Sequence, residues 1–287
     1  MRNTRFNPLN AARLDHLVRA ALAEDIGGGD VTSRALIPPS SRARGAIVAK
    51  ESVVIAGITV VVAVFGAVSR RVRVRRLVPE GGRVPESTRV AVLTGPTRAL
   101  LAGERVALNF LARMSGIATL TRAFASAARP YGVRILDTRK TTPLLRELEK
   151  YAVRAGGGIN HRMGLFDAVL IKDNHVAAAG SVARAVRLAR RGSGRRKIEV
   201  ETQSLDQVRE AITVRPDVIM LDNLGTGPLR QAIKLIRRRR GIAIEISGGV
   251  NLANVTKLAR LRPDFISVGA LTHSAPAVDF SLEITGI

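Results

Sequence analysis

The sequence predicts an α/β protein whose second half forms an open, incomplete barrel of parallel strands. Three observations carry this prediction. Short apolar runs recur at Val133-Leu136, Ala168-Ile171, Lys197-Val200, Val218-Leu221, Ile242-Ile246 and Phe265-Val268. Helically periodic segments lie between them, among them Pro143-Arg154, Val182-Arg190, Leu205-Ile212 and Leu252-Arg260. Strands that alternate with helices build a parallel sheet or barrel, and the six units found here fall short of the eight of a closed one. Finally, charged residues and glycines follow each strand directly, where a parallel barrel places its functional loops. Ser204 with Gln207 three residues on forms a capping-box pair at the third of the periodic segments.

The first hundred residues read as mixed α and β. Leu9 to Ala23 has helical spacing through Leu14, Leu17, Val18, Ala21 and Leu22, and the cluster Gly27-Gly28-Gly29 stops it. Gly45 to Ile55, Val72 to Arg75 and Arg89 to Leu93 read as strands, with a turn at Gly81-Gly82. Gly95-Pro96-Thr97 opens a long helix that reaches about Arg129, the proline standing just inside its start. Ser52 to Ser69 carries no charge, but Gly57 and Gly66 interrupt it and Val and Ile crowd it. A buried strand followed by a buried helix accounts for it better than a membrane span.

A hydrophobic fraction of 46% over 287 residues is that of a globular protein with a core, not a disordered chain. There is no cysteine, which excludes disulfides, thiolate nucleophiles and cysteine-ligated metals and is compatible with the cytoplasm. MRNTRFNPLN lacks the apolar run of a secretory signal. The formal charge of +23 admits a nucleic-acid binder, an enzyme for small polyanions or an arginine-heavy surface without specific purpose. Scattered basic residues and an aromatic content of only 3% leave little to stack on bases, against the first reading.

The residues after the strands narrow the chemistry. The first strand delivers Asp137-Thr138-Arg139-Lys140, the second Lys172 and Asp173, the third Glu201 and the fourth Asp222. The fifth ends in Ser247-Gly248-Gly249 and the sixth in Val268-Gly269-Ala270. Arg139, Lys140, Arg162 and Lys172 in one cavity would repel by about 4 kcal/mol per close pair at an intermediate dielectric. Glu201, Asp222 and Asp173 offset only part of that, so an anionic ligand is expected. Arginine matches carboxylates because its planar fork meets two oxygens. The two glycine turns, expected to precede helix starts, offer backbone N–H groups to a phosphate. Glu201 with Asp222 suits magnesium bound through a metal–phosphate complex. His161 lies in the loop from Gly156 to Arg162, too rich in glycine for a core element. His175 and His273 have weaker claims, and His16 is expected at the surface.

At these residues the sequence resembles the quinolinate phosphoribosyltransferases. Glu24-Asp25 with Gly29-Asp30-Val31-Thr32, Gly103-Glu104-Arg105, Asn109-Phe110 and Ser115 to Thr119 carry the likeness in the first part. Asp137 to Pro143, Gly156 to Arg162, Ile171 to His175, Leu221-Asp222-Asn223, Ser247 to Gly249 and Val268 to His273 carry it in the second. The resemblance implies an N-terminal α/β sandwich domain over 1–112, joined by a returning tail at 274–287, and an open TIM-like barrel over 113–273. It implies a homodimer or higher homo-oligomer, cytoplasmic, with neither nucleic acid nor membrane as partner, in which Arg105 reaches the neighbouring site. Arg139, His161, Arg162 and Lys172 would hold the two quinolinate carboxylates. Lys140, Glu201 and Asp222, with Ser247, Gly248, Gly249, Val268, Gly269 and Ala270, would hold phosphoribosyl pyrophosphate and magnesium, and Thr138 would be a further substrate-binding residue. Lys140, Lys172, Glu201 and Asp222 are the residues expected to be catalytic, and the products nicotinate mononucleotide, pyrophosphate and carbon dioxide. A related enzyme for a different aromatic acid is the nearest alternative, and a nucleic-acid binder that has lost catalysis is the alternative of another class.

Overall fold

The computed structural model describes residues 9–286. The chain gathers into two compact units. One takes the chain through Arg122, together with Glu147–Gly157 and the stretch from Ala275; the other takes Ala123–Arg146 and Gly158–Ser274.

In the first unit, α1 (Ala11–Ile26) starts where the Asn10 side chain accepts from the Arg13 N–H and stops at Gly27, whose φ is 49°. A short α2 (Val31–Leu36), capped by Asp30, follows; six residues are too few to show a periodic signal. The strand expected over 45–55 divides into β1 (Arg42–Ala49) and β2 (Val53–Val54), because the exposed Lys50, Glu51 and Ser52 interrupt it. The uncharged run then continues as α3 (Ile58–Val68), in which Ile58, Val60, Val61, Val64 and Phe65 are fully buried. Next come β3 (Arg73–Arg76), β4 (Arg83–Val84) and β5 (Arg89–Pro96), then the long α4 (Thr97–Ala128). Pro96 is thus not inside the helix as expected. It ends β5 opposite Arg42, at the end of a strand, where a missing N–H is tolerated.

The C-terminal strand Phe280–Gly286 completes an antiparallel sheet ordered C-terminal strand, β1, β5, β3. Just before it the chain passes so close to α4 that a Cβ on Gly116 would stand 1.9 Å from the Pro276 carbonyl oxygen. The periodic stretch expected from Pro143 becomes helical only as α5 (Arg146–Gly156), since Leu144 adopts a left-handed φ of 65°. Most of α5 belongs to the first unit, where its buried Glu149 accepts from Arg113 at 2.8 Å.

The second unit contains the six expected strands: β6 (Arg134–Leu136), β7 (Val169–Ile171), β8 (Ile198–Thr202), β9 (Val218–Asp222), β10 (Ala243–Ser247) and β11 (Phe265–Ser267). All pair in parallel in the order β6-β11-β10-β9-β8-β7. β6 and β7 follow one another in sequence yet lie at opposite edges, so the barrel is open between them; Ile159 adds one isolated bridge to Leu136. The connecting helices are α6 (Asp173–Ala179), α7 (Val182–Gly192), α8 (Leu205–Val214), α9 (Thr226–Arg237), α10 (Val255–Ala259) and α11 (Ala270–His273). At α8, Ser204 Oγ accepts from the Gln207 N–H, but Gln207 Oε1 accepts from the N–H of Gln203 and not of Ser204. The capping box is therefore only half formed. No helix among the described residues is long and apolar enough to cross a membrane.

Candidate active site

Strand alternation decides what the second unit presents to its interior. Ile171, Val200, Ile219, Leu221, Ile244, Ile246 and Ile266 are buried on one side, where α7 and α8 pack on β7 and β8. Residues of the opposite parity, Leu170 and Lys172, Glu201, Met220 and Asp222, Glu245 and Ser247, and Ser267, line a single cavity. Thr138, Arg139, Lys140, His161, Arg162, Asn223, Gly248, Gly249, Val250, Gly269, Ala270 and His273 complete its wall. Its volume of about 470 Å³ is that of a small-ligand site.

Thirteen of the fifteen residues anticipated from sequence thus come together, and two do not. Val268 is buried and its N–H donates to the Leu136 carbonyl, so it joins β11 to β6 rather than facing a ligand. Arg105, exposed on α4 of the first unit, is not among the residues that line this cavity. Asp173 also lies outside the lining, exposed at the start of α6. His273, whose claim from sequence was the weaker, does line it, with Nδ1 bonded to Ser274 Oγ. His175 accepts the Lys172 N–H, and His16 is exposed.

The cationic side of the cavity is under electrostatic stress. Burial, then the neighbouring Arg139, press the Arg162 guanidinium below its ordinary pKa, while Glu199 and Asp167 oppose this. The Nε–H groups of Arg139 and Arg162 are buried without a hydrogen-bond partner among the described residues. Buried donors left in this way cost about 1–3 kcal/mol each, and an anion in the cavity would relieve both the repulsion and part of that penalty. Lys172 Nζ rests on Glu201 Oε2 at 2.9 Å, an exchangeable partner for a side chain that is half exposed.

The glycine turns offer backbone to the same cavity. Gly248 has a φ of 92°, and a Cβ there would meet Asn223 Oδ1 at 2.1 Å, so only glycine fits. However, α10 begins only after Asn254 and runs five residues, and α11 has four. The turn at Gly269 thus leads directly into a helix start as expected, whereas the one at Gly248-Gly249 is separated from α10 by several residues, and any phosphate there would rely on turn N–H groups. Glu201 and Asp222 remain two carboxylates on adjacent strands, a donor set of the hard-oxygen kind that magnesium takes.

Beneath the cations lies a cluster that the sequence reading missed. Glu199 is 8% and Glu245 1% exposed, and the nearest oxygens of both and a His161 nitrogen lie within 4.8 Å of one another. His161 Nδ1 accepts the Arg162 N–H at 2.8 Å, which places the ring proton on Nε2, where it is donated to Glu199 Oε2 at 2.9 Å. Burial pushes the Glu199 carboxyl up to about 7. Burial, then the charge of Glu199, raises Glu245 well above the usual range. Glu245 Oε2 stands 3.9 Å from His161 Nε2, and Glu199 Oε1 and Glu245 Oε1 are buried without a hydrogen-bond partner among the described residues. The cluster's sequence signal was the alternation itself: Glu199 stands two residues before Glu201, and Glu245 two before Ser247.

The family models for the N- and C-terminal domains of quinolinate phosphoribosyl transferase match residues 30–115 and 117–283. This chain belongs to that family. It is 46% identical to a Synechocystis protein named "Probable nicotinate-nucleotide pyrophosphorylase (carboxylating)", over 94% of this chain and 92% of that one. It is 42% identical to the Mycobacterium leprae nicotinate-nucleotide pyrophosphorylase (carboxylating), over 93% and 95% of the two chains. The crystal structure of NadC from Streptococcus pyogenes superposes with a TM-score of 0.94 at 40% identity, covering 98% of this chain and 99% of that one. The two matched models meet between residues 115 and 117 on α4, and every cavity residue of this quinolinate phosphoribosyltransferase family member falls within the C-terminal match.

Proposed function

We propose that this protein is a quinolinate phosphoribosyltransferase, forming nicotinate mononucleotide, pyrophosphate and carbon dioxide from quinolinate and phosphoribosyl pyrophosphate in NAD biosynthesis. The observation that carries the reading is the cavity itself, which Arg139, Arg162 and Lys172 line together with the glycine turns. Three cations suit a dicarboxylate better than a monocarboxylate, which separates quinolinate from other aromatic acids.

In the reaction the pyridine nitrogen attacks the anomeric carbon of the ribosyl group as the bond to pyrophosphate breaks. The carboxylate next to the ring nitrogen then leaves as carbon dioxide; its bonding electron pair stays on the ring carbon, stabilised by the quaternised nitrogen, and a proton replaces it. No protein nucleophile is needed, so positioning and charge complementarity do the catalytic work. Arg139, Arg162 and Lys172 hold the ring acid, and Lys140 and the turns at Ser247–Gly249 and Gly269–Ala270 hold the phosphates. Glu201 and Asp222 would hold magnesium, which supplies charge neutralisation of the leaving pyrophosphate.

We place the enzyme in the cytoplasm as a homodimer or higher oligomer, with Arg105 serving a neighbouring site. Support for association comes from exposed apolar side chains, among them Leu144 at 91%, Leu165 at 74% and Phe166 at 72%, which a monomer would leave in water. Purified protein incubated with quinolinate labelled at the carboxyl next to nitrogen, phosphoribosyl pyrophosphate and magnesium should release labelled carbon dioxide in step with nicotinate mononucleotide. Consumption of nicotinate with quinolinate untouched would assign it to a different aromatic acid.

A further inference from the structure

Barrel interiors are ordinarily filled by branched apolar side chains, and a buried carboxyl without partners is costly. Glu199 nevertheless occupies an interior position of β8, bonded to the His161 ring at 2.9 Å. That ring in turn accepts the backbone N–H of Arg162 through Nδ1 at 2.8 Å. On the other side, the fully buried Asp137 accepts the His161 N–H at 2.9 Å and the Asn160 side-chain amide. The segment so held follows Gly156-Gly157-Gly158, with Gly157 at a φ of 95°, a stretch with much conformational freedom of its own. Among the described residues the Arg162 guanidinium makes one long hydrogen bond, 3.4 Å, to the Ala168 carbonyl.

We infer that Glu199, acting through the His161 ring and together with Asp137, is a positioning residue that fixes where Arg162 stands in the cavity. His161 on this account binds no carboxylate directly: its ring nitrogens serve the clamp. Because the acceptor oxygen of Glu199 is what matters, glutamine can replace it and an apolar residue of similar size cannot. The inference rests on the proposed reading that Arg162 holds a quinolinate carboxylate.

The test compares Glu199→Leu, Glu199→Gln and Asp137→Asn with wild type by steady-state kinetics and thermal unfolding. Glu199→Leu should raise the KM for quinolinate about tenfold or more while that for phosphoribosyl pyrophosphate stays within about twofold, and Glu199→Gln should restore most of the difference. Asp137→Asn, which turns one of two acceptor sites into a donor, should raise the quinolinate KM as well. A purely structural role would lower the unfolding temperature and the active fraction and leave both KM values alone. An unchanged quinolinate KM in Glu199→Leu, or a glutamine variant as impaired as the leucine one, overturns the inference. If Glu199→Leu does not fold, the Gln and Asn variants decide: Asp137→Asn without effect on quinolinate overturns it. Failure of the wild type to use quinolinate would instead overturn the underlying reading.

Discussion

The two larger sheets of this protein carry charged side chains by the same alternating pattern and treat them in opposite ways. On β1 and β3 of the antiparallel sheet, Arg42, Arg44, Arg73 and Arg75 alternate with less exposed residues and lie in water. On β8 and β10 of the parallel sheet, Glu199, Glu201 and Glu245 alternate with Val200, Ile244 and Ile246, but both parities are buried. A sheet with one wet face accepts charge at almost no penalty, whereas a sheet curled around its own interior must compensate each charge with a partner. Charge in the first sheet therefore says little about function, and charge in the second marks the site. The +23 total, the loudest feature of the composition, is mostly of the uninformative kind.

The contrast can be broken first at its strongest point. Arg162→Ala should lower kcat/KM for quinolinate by at least about a hundredfold, since it removes a charge-assisted pair and leaves a carboxylate unpaired in a buried place; steady-state kinetics reads this directly. Gly248→Ala forces a side chain into a left-handed backbone against Asn223 and should destabilise the protein by about 2 kcal/mol or more, with a raised KM for phosphoribosyl pyrophosphate; urea unfolding alongside kinetics separates the two effects.

A smaller effect concerns the buried acids. A carboxyl whose folded pKa is raised stabilises the fold fully below its ordinary value near 4.5 and loses that contribution as pH rises through the folded value, which is about 7 for Glu199 and well above the usual range for Glu245. Wild type should match Glu245→Gln near pH 5 and fall behind it by about 1 kcal/mol toward pH 9; parallel melting curves across pH would show equal slopes if Glu245 were already ionised. Smallest of all, Arg73→Ala with Arg75→Ala should change stability by less than about 0.5 kcal/mol and leave both KM values alone.

Much of this was legible in the sequence, for physical reasons that also explain what was not. The six parallel strands announced themselves as short, mostly apolar runs, because the helix-covered positions of each strand are aliphatic. The rim residues stood out because Lys172, Glu201 and Asp222 each close such a run. Glu199 and Glu245 escaped notice because a single acid inside a strand reads as a solvent-facing residue until the sheet is known to close on itself. Helices α2 and α11 were too short to show periodicity, and Pro96 looked like a helix starter because proline serves a strand's end as well as a helix's first turn. Val268 falls outside the cavity lining for a local reason: its N–H continues the β-ladder one residue past β11.

On the proposed function, the cations of the cavity are matched to two carboxylates on one ring. Isothermal titration of quinolinate and of nicotinate into the wild-type protein tests it most directly. The account predicts that quinolinate binds about ten- to a hundredfold more tightly than nicotinate, the value of one further charge-assisted pairing, and that Arg162→Ala erases most of this difference. Equal affinities for the two acids, or a preference for quinolinate that survives loss of Arg162, would contradict it.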